Sequence, residues 1–342
     1  MTLPLVPQVA PRREHVRGDI YHYWFDLPVG KTPNARVRIH RVVRERSPYQ
    51  PYPTRRAILL LHGDFATFVT NFAPSLGTPP SPAPGLAPYL VEHGVDVWGA
   101  DRRWTLPGTA DDTSDFGEMG LAQEFGDIGT ALAAARATRT VTDGDPSRIT
   151  LGGFSHGAQL AYAYAVADGR HLSALAPLDS YYDIAPADAN LRAQACANET
   201  FERDAVASGI TDSDNGFCVL LGTLARSAPS DPSPLLPPLS NREALLFTVA
   251  QTYQFAPYTP RYHLNAPRLD RAGAVTGLSE SSEASVAAWF AGAPPQSMRE
   301  AAELDAIWCG SGARPELSRV QVPVFYLGAA GGFGDYGLYS TT

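Results

Sequence analysis

The stretch Ile149-Thr150-Leu151-Gly152-Gly153-Phe154-Ser155-His156-Gly157-Ala158 decides how this chain is read. Ile149 to Leu151 has strand character, and Ala158 to Ala167 has the composition of a helix. Gly153-Phe154-Ser155-His156-Gly157 is therefore a G-x-S-x-G pentapeptide at a strand-to-helix turn. A serine on such a turn is strained and projects above the sheet. The residues two before and two after it must be small, because strand and helix pass within contact distance there. The first N–H groups of the helix also point to where an oxyanion would form. The competing reading is a tight turn whose serine only caps the helix.

Outward from this turn the chain alternates strands and helices. Asp19 to Leu27 and Ala35 to Val43 read as strands joined by turn residues Pro28 to Asn34. Arg56 to Leu61 is an apolar run suited to a central strand covered on both faces, and it ends in His62-Gly63-Asp64-Phe65. A short helix at Leu86 to His93 stops at Gly94, and the strand Val95 to Ala100 runs into Asp101-Arg102-Arg103-Trp104. Phe125, Ile128, Leu132 and Ala135 mark an amphipathic helix before the serine turn, and Leu172 to Pro177 a strand after its helix. This alternation predicts an α/β protein with a mostly parallel sheet and helices on both faces.

The rhythm breaks at Ile184. Between there and Leu317 lie helical fragments, a proline-rich turn region (Pro229 to Pro238) and many large apolar side chains. Among them are Phe247, Tyr253, Phe255, Tyr258, Tyr262, Trp289, Phe290 and Trp308. They suit either a cap that supplies an apolar pocket or a helical insertion with its own core. Val322 to Gly328 restores a core strand. The expected division is residues 1–183 as core, 184–317 as cap insertion and 318–342 as core resumed.

In its first half the chain resembles the α/β-hydrolase superfamily, and within it the acid-lipase branch of esterases and lipases. The residues that carry the resemblance are Leu59-Leu60-Leu61-His62-Gly63, Gly94 to Gly99 with Arg102, Asp127-Ile128-Gly129, and the serine pentapeptide. The resemblance implies that Ser155 attacks an ester carbonyl to form an acyl-enzyme. It implies oxyanion donors at the N–H groups of His156 and Asp64, with Phe65 as the alternative to Asp64, and His62 as the residue orienting that loop. Asp64 departs from the pattern, since an apolar residue is commoner there. The acid would be Asp335, with Asp179 as runner-up.

The family order then requires a histidine, and none follows His263. His263 lies in the segment read as cap. The last strand, loop and helix of the fold have no counterpart in the sequence, so a chain cut short is the expectation. A second polypeptide, an unconventional base or a protein that does not hydrolyse anything are the other accounts.

Bulk properties narrow the class. The 342 residues are 44% apolar and 18% charged, with a formal net charge of −8 that argues against nucleic acid and anionic membranes as partners. Lys31 is the single lysine among 27 basic residues. Met1 to Pro7 lacks the basic and apolar regions of a signal peptide, so the cytoplasm is the expected location. No metal-site spacing is present, and no cofactor is implied. Of the three cysteines, Cys196 and Cys218 could bridge in an exported protein, but free buried thiols are the expectation. Cys309 in Trp308-Cys309-Gly310 is a weak alternative nucleophile. The leading expectation is a serine hydrolase for small-molecule carboxylic esters, without stable membrane insertion. The alternatives are an α/β-hydrolase-like binding protein, or an acyltransferase or amidase using the same serine.

Overall fold

The computed structural model describes residues 11–77, 80–81, 83–107, 112–213, 215–250, 267–279, 281–312, 316–329 and 333–341. One large sheet organises them. Its strands are β1 (Arg12–Arg17), β2 (Ile20–Pro28), β3 (Arg36–Ser47), β4 (Gln50–Pro51), β5 (Arg56–Leu61), β6 (Val95–Asp101), β7 (Ile149–Phe154) and β8 (Leu172–Leu178). Across the sheet the order is β1-β2-β3-β6-β5-β7-β8, with β4 paired back onto β3. β1 to β3 form an antiparallel meander, and β3 joins β6 antiparallel. From β6 onward the pairing is parallel. The Val322–Leu327 stretch continues it beside β8, with Phe325 N–H donating to Leu175 O (2.9 Å) and Leu327 N–H to Pro177 O (3.1 Å).

The sequence of β5 shows why the sheet is covered twice. Leu59 and Leu61 belong to one buried cluster and Leu60 to another, because successive side chains point to opposite faces. The first cluster takes Ile128, Ala131 and Leu132 of α3 (Leu121–Asp143) and Leu160 and Ala161 of α4 (His156–Asp168). The second takes Phe68 and Phe72 of α1 (Phe68–Phe72) and Ala87 and Val91 of α2 (Leu86–Glu92). Helix α4 is buried from Gly157 to Val166, which explains its near-uniform small and apolar composition.

After β8 the chain builds α5 (Ala189–Ala207), α6 (Gly216–Ser227), α7 (Asn241–Ala250), α8 (Glu283–Ala291) and α9 (Met298–Cys309). Leu221 of α6, Leu245, Leu246 and Val249 of α7, and Phe290 of α8 form a core of their own. Leu304 and Ile307 of α9, by contrast, enter the main core beneath the sheet. The segment read from sequence as a cap thus also furnishes a helix that packs inside the core.

The cysteine expectation needs correcting. Cys196 is bridged to Cys309, joining α5 to α9, while Cys218 is the free, half-buried thiol. Spacing alone gave no access to that pairing, because topology brings the two helices together. The bridge removes Cys309 as a nucleophile. Among the described residues, no helix is long and apolar enough to cross a membrane.

Candidate active site

Ser155 sits between β7 and α4 with φ 55° and ψ −128°, a backbone region that side-chain-bearing residues avoid. Tight packing imposes that geometry. A Cβ on Gly153 would lie 2.2 Å from Gly157 O, and one on Gly157 would lie 2.3 Å from Leu61 O, so both positions exclude a side chain. Ser155 N–H donates to Leu178 O (3.2 Å), which fastens the turn to β8. The Ser155 side chain makes no capping hydrogen bond to α4, so the capping role is not what holds a serine here. Helix α4 opens at His156, and its first N–H groups have no acceptor within the helix.

The loop after β5 lies against this turn. A Cβ on Gly63 would come within 3.1 Å of Ser155 Cβ. His62 is fully buried and locked at both ring nitrogens, Nδ1 donating to Gly63 O (2.8 Å) and Nε2 accepting from Arg102 N–H (3.3 Å). Burial first, then the Arg102 charge, pulls His62 down to about 4, so the ring is neutral. The Arg102 guanidinium donates to His62 O (3.2 Å) and Gly63 O (3.4 Å) and is balanced by Glu300 at 2.5 Å. From the other side, Trp289 Nε1–H of α8 donates to Phe65 O (2.7 Å).

The Asp64 carboxylate is engaged by neighbouring side chains. It ion-pairs with His156 Nδ1 and accepts from Gln296 Nε2–H (2.9 Å). Burial acts against the charge on both groups, but each stabilises its partner more strongly. Asp64 therefore stays below the ordinary carboxylate range, and His156 is held up at about 9. The His156 ring also packs against Trp308 at 4.8 Å between centroids. It is an imidazolium in place, not a free base.

A cavity of about 380 Å³ opens over Ser155. Phe65, Tyr181, Trp289, Phe290 and Trp308 give it apolar walls, and Asp64, His156, Glu202 and Asp305 supply acid and base groups. Glu202 and Asp305 had no signal in the sequence, since they belong to α5 and α9 and meet only through the fold. Burial pushes Asp305 up to about 6 and Glu202 up to about 8, the latter helped by the neighbouring Asp305.

The two acids read from sequence are placed differently. Asp179 follows β8 directly, is buried, has φ 46°, and accepts from Ala329 N–H (2.9 Å). Asp335 is exposed on the short helix α10 (Gly334–Gly337). Neither lines the cavity. His263 lies outside the described residues, as do Tyr253, Phe255, Tyr258 and Tyr262, residues 1–10 and Thr342. Among the described residues, His156 is the histidine that lines the cavity.

No known family profile matches the sequence, and no curated protein matches it. Solved structures do match. The chain is similar to a Sulfolobus solfataricus protein provisionally classed as a lipase, at 15% identity and a TM-score of 0.53, over 97% of this chain and 93% of that one. It is also similar to an epoxide hydrolase from Vigna radiata, at 15% identity and a TM-score of 0.45, over 95% and 85%. Likeness at such identity is likeness of fold. Together with the strand order, it shows that the chain has the α/β-hydrolase fold.

Proposed function

We propose that the protein is a serine hydrolase that cleaves carboxylic esters of small molecules through an acyl-enzyme on Ser155. The observation that carries this reading is the strained Ser155 at the β7–α4 turn, opening into a partly apolar cavity. In this reading the Ser155 hydroxyl attacks the ester carbonyl, and the N–H groups of His156 and Asp64 receive the oxyanion. The side-chain pairing of Asp64 and His156 supports that role, because it fixes both donors and keeps the Asp64 charge engaged. Of the two acids, this reading favours Asp179, the runner-up from sequence: it is buried directly after β8, the strand beside β7, whereas Asp335 is exposed. Within the expected cap, residues 184–317, helices α5, α6 and α8 serve as the cover over the site, while α9 also packs into the core. No metal or organic cofactor takes part in this reading.

One observation favours a second reading, a binding protein with this fold. His62 and His156 are both committed to other partners, so neither is free to take the Ser155 proton. Hydrolysis of p-nitrophenyl esters of graded chain length separates the two. The hydrolase reading expects turnover that Ser155→Ala lowers by about a thousandfold or more. Absence of turnover in folded protein, or turnover untouched by Ser155→Ala, would sink it.

A further inference from the structure

The cavity over Ser155 gathers more carboxyl groups than cationic side chains. Three carboxyl side chains and one histidine line it, and no lysine or arginine is among the described lining residues. Asp64 and His156 pair with each other, and Asp64 also lies 3.8 Å from the Arg102 guanidinium. Asp305 and Glu202 remain, and no cationic side chain forms an ion pair with either among the described residues. Glu199, on the same helix as Glu202, is by contrast paired with Arg203 and Ser311.

Asp305 is only 3% exposed, yet its Oδ1 is buried without a hydrogen-bond partner. Glu202 Oε2 is in the same condition. Buried carboxyl oxygens without partners are uncommon in folded proteins, because each lost hydrogen bond is uncompensated. Asn198 bonds to Asp305 and His156 draws some of its charge, yet burial still holds its carboxyl above the ordinary range. The rings of Tyr181 and Trp308 pack 4.6 Å apart on the same wall, and they also line the cavity. Carboxyl groups and aromatic rings lining one pocket are a setting that binds organic cations, through Coulomb attraction and the ring quadrupoles together.

We propose that this cavity takes ligands bearing an organic ammonium group, seated among the Asp305 and Glu202 carboxyls and the Tyr181 and Trp308 rings. A neutral hydroxyl could hydrogen-bond one orphan oxygen, whereas a cation also favours the ionised form that burial opposes, so its binding draws protons off Asp305 and Glu202. As a statement about substrates the proposal rests on the hydrolase reading; as a statement about binding it does not.

The test uses the full chain as Ser155→Ala, titrated calorimetrically with choline and with its uncharged carbon isostere, 3,3-dimethyl-1-butanol. Choline is expected to bind at least about tenfold more tightly. Asp305→Asn and Glu202→Gln should each shrink that preference, and together they should abolish it, in proteins whose melting transitions remain cooperative. Equal binding, no binding of either compound, or a preference that survives both substitutions would overturn the proposal. The esters of the two alcohols, offered to the wild-type protein, keep the claims separable. Binding preference without turnover of either ester leaves the cation site standing and removes the hydrolase reading. Equal turnover of both without binding preference does the reverse.

Discussion

The Asp64 carboxylate forms an ion pair with His156 Nδ1, tying the loop after β5 to the first residue of helix α4, immediately beyond Ser155. The two peptide N–H groups assigned to the oxyanion thus belong to residues whose side chains hold each other. Two strand ends that adjoin in the sheet are locked together at the point where the chemistry is proposed.

That pair has a pH signature. His156 is held at about 9, above its ordinary 6.5, so its stabilisation is complete below pH 6.5 and is lost as pH rises through about 9. Asp64 is shifted the other way, so its share is present above 3.8 and is lost on acidification. Asp64→Asn is expected to cost about 3 kcal/mol in urea denaturation near pH 6. The difference from wild type should narrow well above pH 9; an unchanged difference would remove the pair as its cause.

Gly63 is predicted to be irreplaceable for activity but not for folding. An added Cβ would sit 3.1 Å from Ser155 Cβ and 3.2 Å from Phe154 O, so the loop must give by a few tenths of an ångström. Gly63→Ala should therefore lower kcat about a hundredfold, since small misplacements cost that much. Its melting transition should move little, which calorimetry beside an ester assay will show.

Glu300 balances the buried Arg102, whose guanidinium holds the carbonyls of His62 and Gly63. Glu300→Gln removes the nearer counterion of that charge, leaving Asp64 at 3.8 Å, and is expected to destabilise the fold by about 3 kcal/mol. Because Trp104 also donates to Glu300, the fluorescence of the folded variant should change as well. Stability within about 0.5 kcal/mol of wild type would contradict this account.

The Cys196–Cys309 bridge closes a loop across a sequence separation of 113 and joins the two helices that carry Glu202 and Asp305. Replacing both cysteines by serine should cost about 3 kcal/mol, and reductant should have the same effect on the wild type. Cys218→Ser should leave the sensitivity to reductant intact. Denaturation curves with and without dithiothreitol provide the comparison.

The residues explain which features were legible in advance. Leu59, Leu60 and Leu61 announce a strand buried on both faces, and the pentapeptide at Gly153 announces the turn, because sterics there leave little choice of residue. β1 was missed: Arg12–Arg17 is a polar strand at the sheet edge, with no apolar alternation to betray it. The Cys196–Cys309 bridge, the Asp64–His156 pair, and Glu202 with Asp305 were illegible for another reason. Each joins elements distant in sequence, and only the order of strands and the docking of α5 on α9 brings them together. Sequence patterns report local sterics and burial; they carry little about which distant polar groups will meet.

The account stands or falls on whether Ser155 is an activated nucleophile. A fluorophosphonate probe, followed by mass spectrometry of the labelled peptides, tests this directly. The account predicts a single adduct on Ser155 that disappears in Ser155→Ala. Folded protein that leaves Ser155 unmodified, or an adduct elsewhere that persists in Ser155→Ala, would contradict it.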